Sequence, residues 1–447
     1  MFLSRPLALR VGTRNALSTM LLSLAFSACA AIGLSRPAAP AMPGSVSLKP
    51  SDKLTVLYRF ATQNEGRHPM ADVSLLGGTL YGTTTQGGTG RHMCYCGVVY
   101  AIDASNNERT LHIFKGDSKK NPPQSDGATP LGGLVLFKGR MYGTTSAGGD
   151  GGPSGPCTGV YPRTGCGSVY TIDSTGAVHI IYRFQGGADG VGPIGNLVPF
   201  HNKLYGVTQY GGDGNTYYCQ GTCGTIFSIT ESGKEKIVHS FSTLTDGKLP
   251  QAGLSDIGGK LYGTTSDGGS SVQCGECGTV YSLDANNNFT TLYSFTGKYD
   301  GGEPESTLVG VGGKIYGTTY TGGNRGLCGT LFSIDSAGRQ NTVWMFCNSR
   351  GDGAHPSGSL ALINGILYGT TQEGGAHACA FGRGCGTIFS FDPQTNIETP
   401  IASPTSQDGR QPFGITAANG ILYGAMYEGG GGGGRGGTNG TVYSVTP

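Results

Sequence analysis

Short apolar, aromatic-bearing runs recur along this chain at regular intervals, each bounded by glycine-rich polar stretches, a pattern of strands and turns. The clearest run is LYGTT at Leu80, MYGTT at Met141, LYGVT at Leu204, LYGTT at Leu261, IYGTT at Ile315, LYGTT at Leu367 and LYGAM at Leu422. Its tyrosines are 52 to 63 residues apart, room for four strands and one long loop. Each copy leads through Gly-Gly to a second β-rich phrase: GVVYAID, GSVYTID, GTIFSIT, GTVYSLD, GTLFSID, GTIFSFD and GTVYSVT. A third phrase ends in Phe114, Phe184, Phe241, Phe295 and Phe346, and is degraded in the sixth copy near Glu398.

The seventh copy of that third phrase is missing after the last GTVYSVT and stands instead near the other end of the chain, as LTVLYRF ending at Phe60. A ring of sheets closes when one sheet takes strands from both ends of the chain, leaving no free edge. Each unit therefore reads as strands a (the stretch before LYGTT), b (LYGTT), c (GTVYSID) and d (LYSF). The fold is expected to be all-β, a seven-bladed β-propeller of four-stranded antiparallel blades, with the N-terminal strand completing the last blade. A linear solenoid would instead need atypical capping repeats at both ends. The central glycine of LYGTT is expected to let neighbouring sheets approach closely, and the repeated Tyr and Phe to form the core. His112 and His239 stand where other copies have Tyr58, Tyr182, Tyr293 or Trp344, and read as packing residues.

Composition agrees with this. Of 447 residues, 82 are Gly and 22 Pro, and 37% are hydrophobic, which excludes a helical protein. A formal charge of +2 from 30 basic and 28 acidic residues, with no long run of either sign, leaves no footprint for nucleic acid. Arg5, Arg10 and Arg14 precede an apolar segment from Met20 to Gly33, which reads as an export signal and is too short to span a bilayer. Residues 1–28 are thus assigned to export, 29–51 to a Pro/Ala-rich tether and 52–447 to one propeller domain. Phe26-Ser-Ala-Cys29 resembles a lipoprotein box, in which Cys29 would carry the lipid; simple signal cleavage is the alternative. Any membrane association would run through that lipid, and the chain is expected to be an extracytoplasmic monomer.

Setting Cys29 aside, twelve cysteines form six local pairs: Cys94 with Cys96, Cys157 with Cys166, Cys219 with Cys223, Cys274 with Cys277, Cys328 with Cys347, and Cys379 with Cys385. In each pair one member immediately precedes the glycine that opens strand c. Where the long loop lacks a partner, Cys347 at the end of strand d supplies it. Even pairing and export favour disulfides. Zinc would need four ligands per site, whereas each blade offers two thiols, so no metal is assigned.

Another sevenfold phrase lies between d and the next a: Glu65-Gly-Arg-His-Pro, then D-G-x-x-P from Asp126, Asp189, Asp246, Asp300, Asp352 and Asp408. These loops and the cysteine-bearing b-to-c loops emerge on one face, where localised function belongs. The carboxylates read as Asx-turn acceptors before a Pro-led strand. Chemistry is sought where copies differ. The residue before Pro is His68, Thr129, Gly192, Leu249, Glu303, His355 or Gln411. With the ring closed, blades five, six, seven and one form an arc bearing Glu303, His355, Glu373, His377, Arg410, Glu428, Arg67, His68 and His92. His68, His355 and Glu303 are the candidates for acid–base chemistry, and Arg67, His92, Glu373, His377, Arg410 and Glu428 for ligand binding. Paired histidines could instead hold a metal, and the plainer account makes them surface polar groups shared by two duplicated blades.

LYGTTxxGG, a cysteine-bearing loop, CGTVYSID and DGxxP together resemble the GloVer tandem repeat (choice-of-anchor) family of exported bacterial proteins, over about Leu54 to Thr446. That resemblance implies a surface or extracellular location and brings no reaction and no catalytic residues. No nucleophile elbow, phosphate loop or HExxH is present, and no cofactor is assigned. The expected function is a binding or scaffold propeller for a glycan, peptide or envelope partner. The alternative is a carbohydrate lyase or hydrolase working through the His/Glu/Arg arc.

Overall fold

The computed structural model describes residues 53–447 apart from 63, 89–95, 117–125, 150–156, 158–164, 214–222, 242–244, 271–276, 325–327, 348–350, 380–382 and 431–438. The strands fall into seven antiparallel sheets. Blade one pairs Ser74–Leu76, Thr79–Thr84, Val98–Ile102 and Glu108–Ile113 as strands a to d. Blades two to six follow over residues 135–183, 191–240, 255–294, 302–345 and 353–402. Blade seven takes a, b and c from Arg410–Ala418, Ile421–Glu428 and Thr441–Val445, and d from Leu54–Arg59 at the other end of the chain. Leu54 pairs with Val445 and Arg59 with Thr441, so the seven-bladed propeller closes as expected, without free edges at its seam.

The repeated letters each have a mechanical reason. In strand b, the glycine of LYGTT lies in register with the aromatic of strand c: Gly82 opposite Tyr100, Gly263 opposite Tyr281, Gly369 opposite Phe389. A Cβ on Gly263 would stand 2.4 Å from the Tyr281 oxygen. The space therefore serves a ring of the same blade folded back over its own sheet. This corrects the expectation that it admits a neighbouring sheet.

Contact between blades comes from rings packed edge to face. The Phe that ends strand d meets the strand-c aromatic of the next blade, Phe60 on Tyr100, Phe114 on Tyr170, Phe184 on Phe227, Phe241 on Tyr281, Phe295 on Phe332 and Phe346 on Phe389, with centroids 5.1 to 5.3 Å apart. In the degraded sixth copy Ala402 ends strand d instead.

A second contact between blades occurs at every interface. The glycine that opens strand c has positive φ, and a Cβ there would fall 2.6 to 2.8 Å from Cδ of the DGxxP proline in the next blade: Gly97 on Pro130, Gly167 on Pro193, Gly224 on Pro250, Gly278 on Pro304, Gly329 on Pro356, Gly386 on Pro412 and Gly440 on Pro69. The residue before that glycine accepts, on its carbonyl, the backbone N–H of the residue before that proline, at 2.8 to 3.0 Å in all seven interfaces. Gly440 on Pro69 and His68 N–H to Asn439 carbonyl close the circle.

Two expected outcomes test this packing. Among the described residues no partner reaches the buried hydroxyls of Tyr100, Tyr170, Tyr281 or Tyr443, and other blades have Phe at that position. Tyr281→Phe should therefore leave stability unchanged or raise it by about 1 kcal/mol, whereas Gly263→Ala, forced against the same ring, should cost about 1–3 kcal/mol; urea unfolding of the two variants measures both. Deleting residues 53–60 should expose the edge of Thr441–Val445 and promote aggregation relative to the intact chain, read by light scattering.

Candidate functional site

Strand a is the innermost of each sheet, and the a strands touch one another around the axis. The D-G-x-x-P segments lead into these strands, so the residue before each proline stands at the mouth of the ring. All seven, His68, Thr129, Gly192, Leu249, Glu303, His355 and Gln411, have φ between 53° and 68°. The left-handed region is uncommon for residues other than glycine, and residues before proline are pushed away from helical backbone altogether. The inter-blade hydrogen bond described above fixes this conformation, so seven unlike side chains are presented from one backbone frame.

Each of these residues lies near the last residues of strand b. In blades five and six, His355 packs on Tyr320 with ring centroids 4.5 Å apart, and its Nδ1 stands 3.2 Å from the Tyr320 carbonyl. Its Nε2 is 3.8 Å from a Glu373 oxygen, and Arg383 donates to the other Glu373 oxygen at 3.2 Å. Glu303 accepts from Thr321 and has its carboxyl pushed up, first by burial and then by the charge of Asp267. The Tyr320 phenol is pushed up to about 12 by burial and by Glu305, Glu373 and Glu303 around it. In blades seven and one, His68 packs on Tyr427 with centroids 4.4 Å apart, and Arg410 pairs with Glu428 across adjacent strands. Burial lowers the His68 pKa, and the Arg67 charge lowers it further, against the opposing pull of Glu428 and the Tyr427 carbonyl.

The structure thus gathers the arc into two groups: Glu303, His355 and Glu373 around Tyr320, and Arg67, His68, Arg410 and Glu428 around Tyr427. His377 is half-buried in the blade-six loop. His92 lies outside the described residues.

Two carboxylates escaped sequence reasoning. Asp72 lies at the axis, accepting from Ser359 Oγ of blade six at 2.5 Å and Asn196 Nδ2 of blade three at 2.8 Å, while burial raises its pKa. Glu305 follows the innermost strand Gly302–Pro304, its pKa pushed up to about 7 by burial and by Glu303. Both are half-buried. The only sequence signal was a charged residue shortly after the DGxxP proline, where the other copies have uncharged side chains.

The ring of DGxxP carboxylates is architectural, by a different bond from the one expected. Glu65, Asp126, Asp189, Asp300 and Asp408 accept backbone N–H groups just past the end of strand d, at Ala61, Lys115, Gln185, Thr296 and Thr405. Asx-turns appear in the opposite, c-to-d turns, as at Asp103 and Asp284. The same loop carboxylates also hold the strand-d aromatic: Tyr58 on Glu65, Tyr182 on Asp189 and Tyr293 on Asp300. His112 and His239 do likewise with Asp126 and Asp246, at 2.9 and 3.2 Å. They are more than packing residues, since each replaces a tyrosine hydroxyl as the partner of a carboxylate. Where tyrosine stands there, a second carboxylate follows in two interfaces: Glu108 beside Glu65 and Glu235 beside Asp189. Beside His239 the neighbour is Phe289, stacked on the imidazole at 3.8 Å.

Three expected disulfides, Cys157–Cys166, Cys328–Cys347 and Cys379–Cys385, are present, and Cys96, Cys223 and Cys277 are disulfide-bonded. Cys94, Cys219, Cys274 and Cys29 lie outside the described residues. These bonds fit an oxidising, extracytoplasmic setting. Among the described residues no helix is long and apolar enough to cross a membrane.

A model of the Gloeobacter/Verrucomicrobia repeat matches residues 43–219 and 216–443. The chain belongs to this repeat family. No curated protein matches the sequence. Solved structures of similar fold include the Nidogen/Laminin complex, at 12% identity and TM-score 0.41 over 72% of this chain and 95% of that one. They also include puromycin hydrolase, at 12% and 0.48 over 86% and 55%, and a Mycobacterium tuberculosis puromycin-hydrolyzing peptidase, at 10% and 0.46 over 85% and 53%. This chain spans about half the length of those two hydrolases.

Glu398, buried beside Asp352, has its pKa pushed up to about 9, and Glu235 to about 7, in both cases by burial first and a neighbouring carboxylate second. Both hold protons in the folded chain that the unfolded chain has released. Their stabilisation is complete below the ordinary value of 4.5 and declines as pH rises, through about 7 for Glu235 and about 9 for Glu398. Glu398→Gln should therefore raise stability at pH 8 by up to about 5 kcal/mol, about 1.4 kcal/mol for each pH unit above the ordinary value, and leave it little changed at pH 4.5. Thermal unfolding across pH checks the sign.

Proposed function

We propose that this protein is an exported binding propeller whose long-loop face engages a glycan, peptide or envelope partner. One observation carries the reading: all seven residues at the mouth share a left-handed backbone, while their side chains range from imidazole and carboxylate to aliphatic and none. A rigid frame that varies only in what it displays is suited to recognition. Around it, DGxxP, LYGTT and CGTVYSID are occupied with strand pairing and blade contact, which leaves the rim as the place for specificity. A lipid on Cys29 would hold the protein at a membrane surface, and cleavage at the same boundary would release it.

The second reading, a carbohydrate lyase or hydrolase, draws support from His355 beside Glu373, a histidine–carboxylate contact of 3.8 Å at the mouth. Binding to arrayed glycans and peptides, followed by turnover of acidic and neutral polysaccharides, separates the two. A binding propeller should retain a ligand without product release and lose affinity by about tenfold when Arg410→Ala removes a charged contact. Product release abolished by His68→Ala or His355→Ala would transfer the assignment to the enzyme. Intact-mass analysis of the exported chain decides Cys29: a diacylglycerol adduct is the expected mark of a lipoprotein, and its absence removes the anchor.

A further inference from the structure

We propose that the Cys328–Cys347 disulfide is a redox-sensitive clamp on the mouth of the ring: a thiol that opens it releases His355 from its display position. As a control on recognition, this rests on the reading of the long-loop face as a binding surface.

Both halves of the disulfide hold the same short segment. The Cys328 carbonyl accepts the His355 N–H at 2.9 Å, and the Cys347 N–H donates to the Gly353 carbonyl at 3.1 Å. Gly353 and His355 lie in the innermost strand of blade six, Gly353–Pro356. Cys347 and His355 are both in the left-handed region, with φ of 63° and 56°, and His355 precedes a proline. Such a backbone persists only where its surroundings over-determine it. The N–H groups of Cys328 and Gly329 share one acceptor, the Gly322 carbonyl, at 3.3 and 3.2 Å. These bonds are longer than the usual value of about 2.9 Å, so the disulfide carries much of the restraint on the carbonyl that holds His355. His355 in turn makes the mouth contacts to Tyr320 and Glu373, and releasing its backbone alters what blade six shows to a ligand.

The disulfide of blade two is placed differently. Cys157 and Cys166 are each 1% exposed, and the Cys166 carbonyl holds the N–H of Gly192, a residue that takes positive φ without strain. Cys328 and Cys347 are both half-buried. Exchange requires a thiolate to reach a sulfur, so the blade-five bond is the one open to attack. The external thiolate bonds to one Sγ as the Sγ–Sγ bond breaks, and a second external thiol then resolves the mixed disulfide. Two external thiols are oxidised to one disulfide, and Cys328 and Cys347 are left as thiols. At the seam the corresponding carbonyl belongs to Asn439, which holds His68 without sulfur and is therefore an internal reference.

The test titrates the full exported chain with dithiothreitol, orders the disulfides by differential alkylation and mass spectrometry, and follows backbone amides by hydrogen exchange. Cys328–Cys347 is expected to open at concentrations that leave Cys157–Cys166 closed. The His355 amide should then exchange about tenfold faster, as the loop restraint is lost, while the amides of His68, Gly192 and Phe332, the last in strand c of blade five, keep their rates. Cys328→Ala/Cys347→Ala should reproduce the His355 change without thiol; if that variant fails to fold, the titration of the wild-type chain decides. The proposal is overturned if Cys157–Cys166 opens first, if His355 keeps its rate once the clamp is open, or if Phe332 speeds up with it, which would make the bond a staple of the whole blade. The readout needs no ligand, so the two readings fail separately. Unchanged His355 exchange in a chain that retains an arrayed glycan or peptide sinks the clamp and leaves the binding function standing. Faster His355 exchange in a chain that retains none supports the clamp and sinks the binding function.

Discussion

One contact repeated around the ring sets the geometry of everything else: a glycine opening strand c lies under the proline of the next blade, while the carbonyl before it takes the N–H of the residue before that proline. The contact works only with no side chain on one partner and a fixed ring on the other. It also forces the residue between them into the left-handed region, a conformation that persists only when the surrounding structure over-determines it. Strain of this kind becomes useful when it places a side chain, and here it places seven of them at the mouth of the ring. The feature that holds the blades together thereby builds the display surface.

The repeated motif divides cleanly between mechanics and display. Gly of LYGTT accommodates the aromatic of strand c, Phe of strand d carries that aromatic's neighbour across the blade boundary, and the DGxxP carboxylate fastens the end of strand d. Residues that recur have structural duties, and residues that vary occupy the rim and the axis. The seam at blade seven follows the same plan with strands from both ends of the chain, so closure needs no separate device. Its weaker neighbour is the interface between blades six and seven, where Ala402 stands in place of a phenylalanine.

Electrostatics follows from the same enclosure. A ring of sheets encloses acidic side chains where water reaches them poorly, and their pKa values rise: Glu235 and Glu398 between blades and Glu305 near the mouth by burial and a neighbouring carboxylate, Asp72 at the axis by burial against its hydrogen bonds to Ser359 and Asn196. The two between blades stabilise the fold more in mild acid than in alkali.

By itself the sequence determined the repeat number, the strand order, the closure by a displaced strand and the cysteine pairing principle, because each is a periodic property and seven copies average out local noise. It also located the rim, since loop length and strand alternation place the two loop classes on one face. Tertiary structure alone decided which rim residues meet. His68 meets Tyr427 and His355 meets Glu373 because of distances across neighbouring strands and blades, which periodicity does not encode. Asp72 and Glu305 stayed hidden for a related reason: each occurs once, so no repeat announces it, and its character comes from how much protein the closed ring packs around it. The role of the LYGTT glycine was misplaced likewise, because a missing side chain in sequence shows that room is needed and only the register shows which ring fills it.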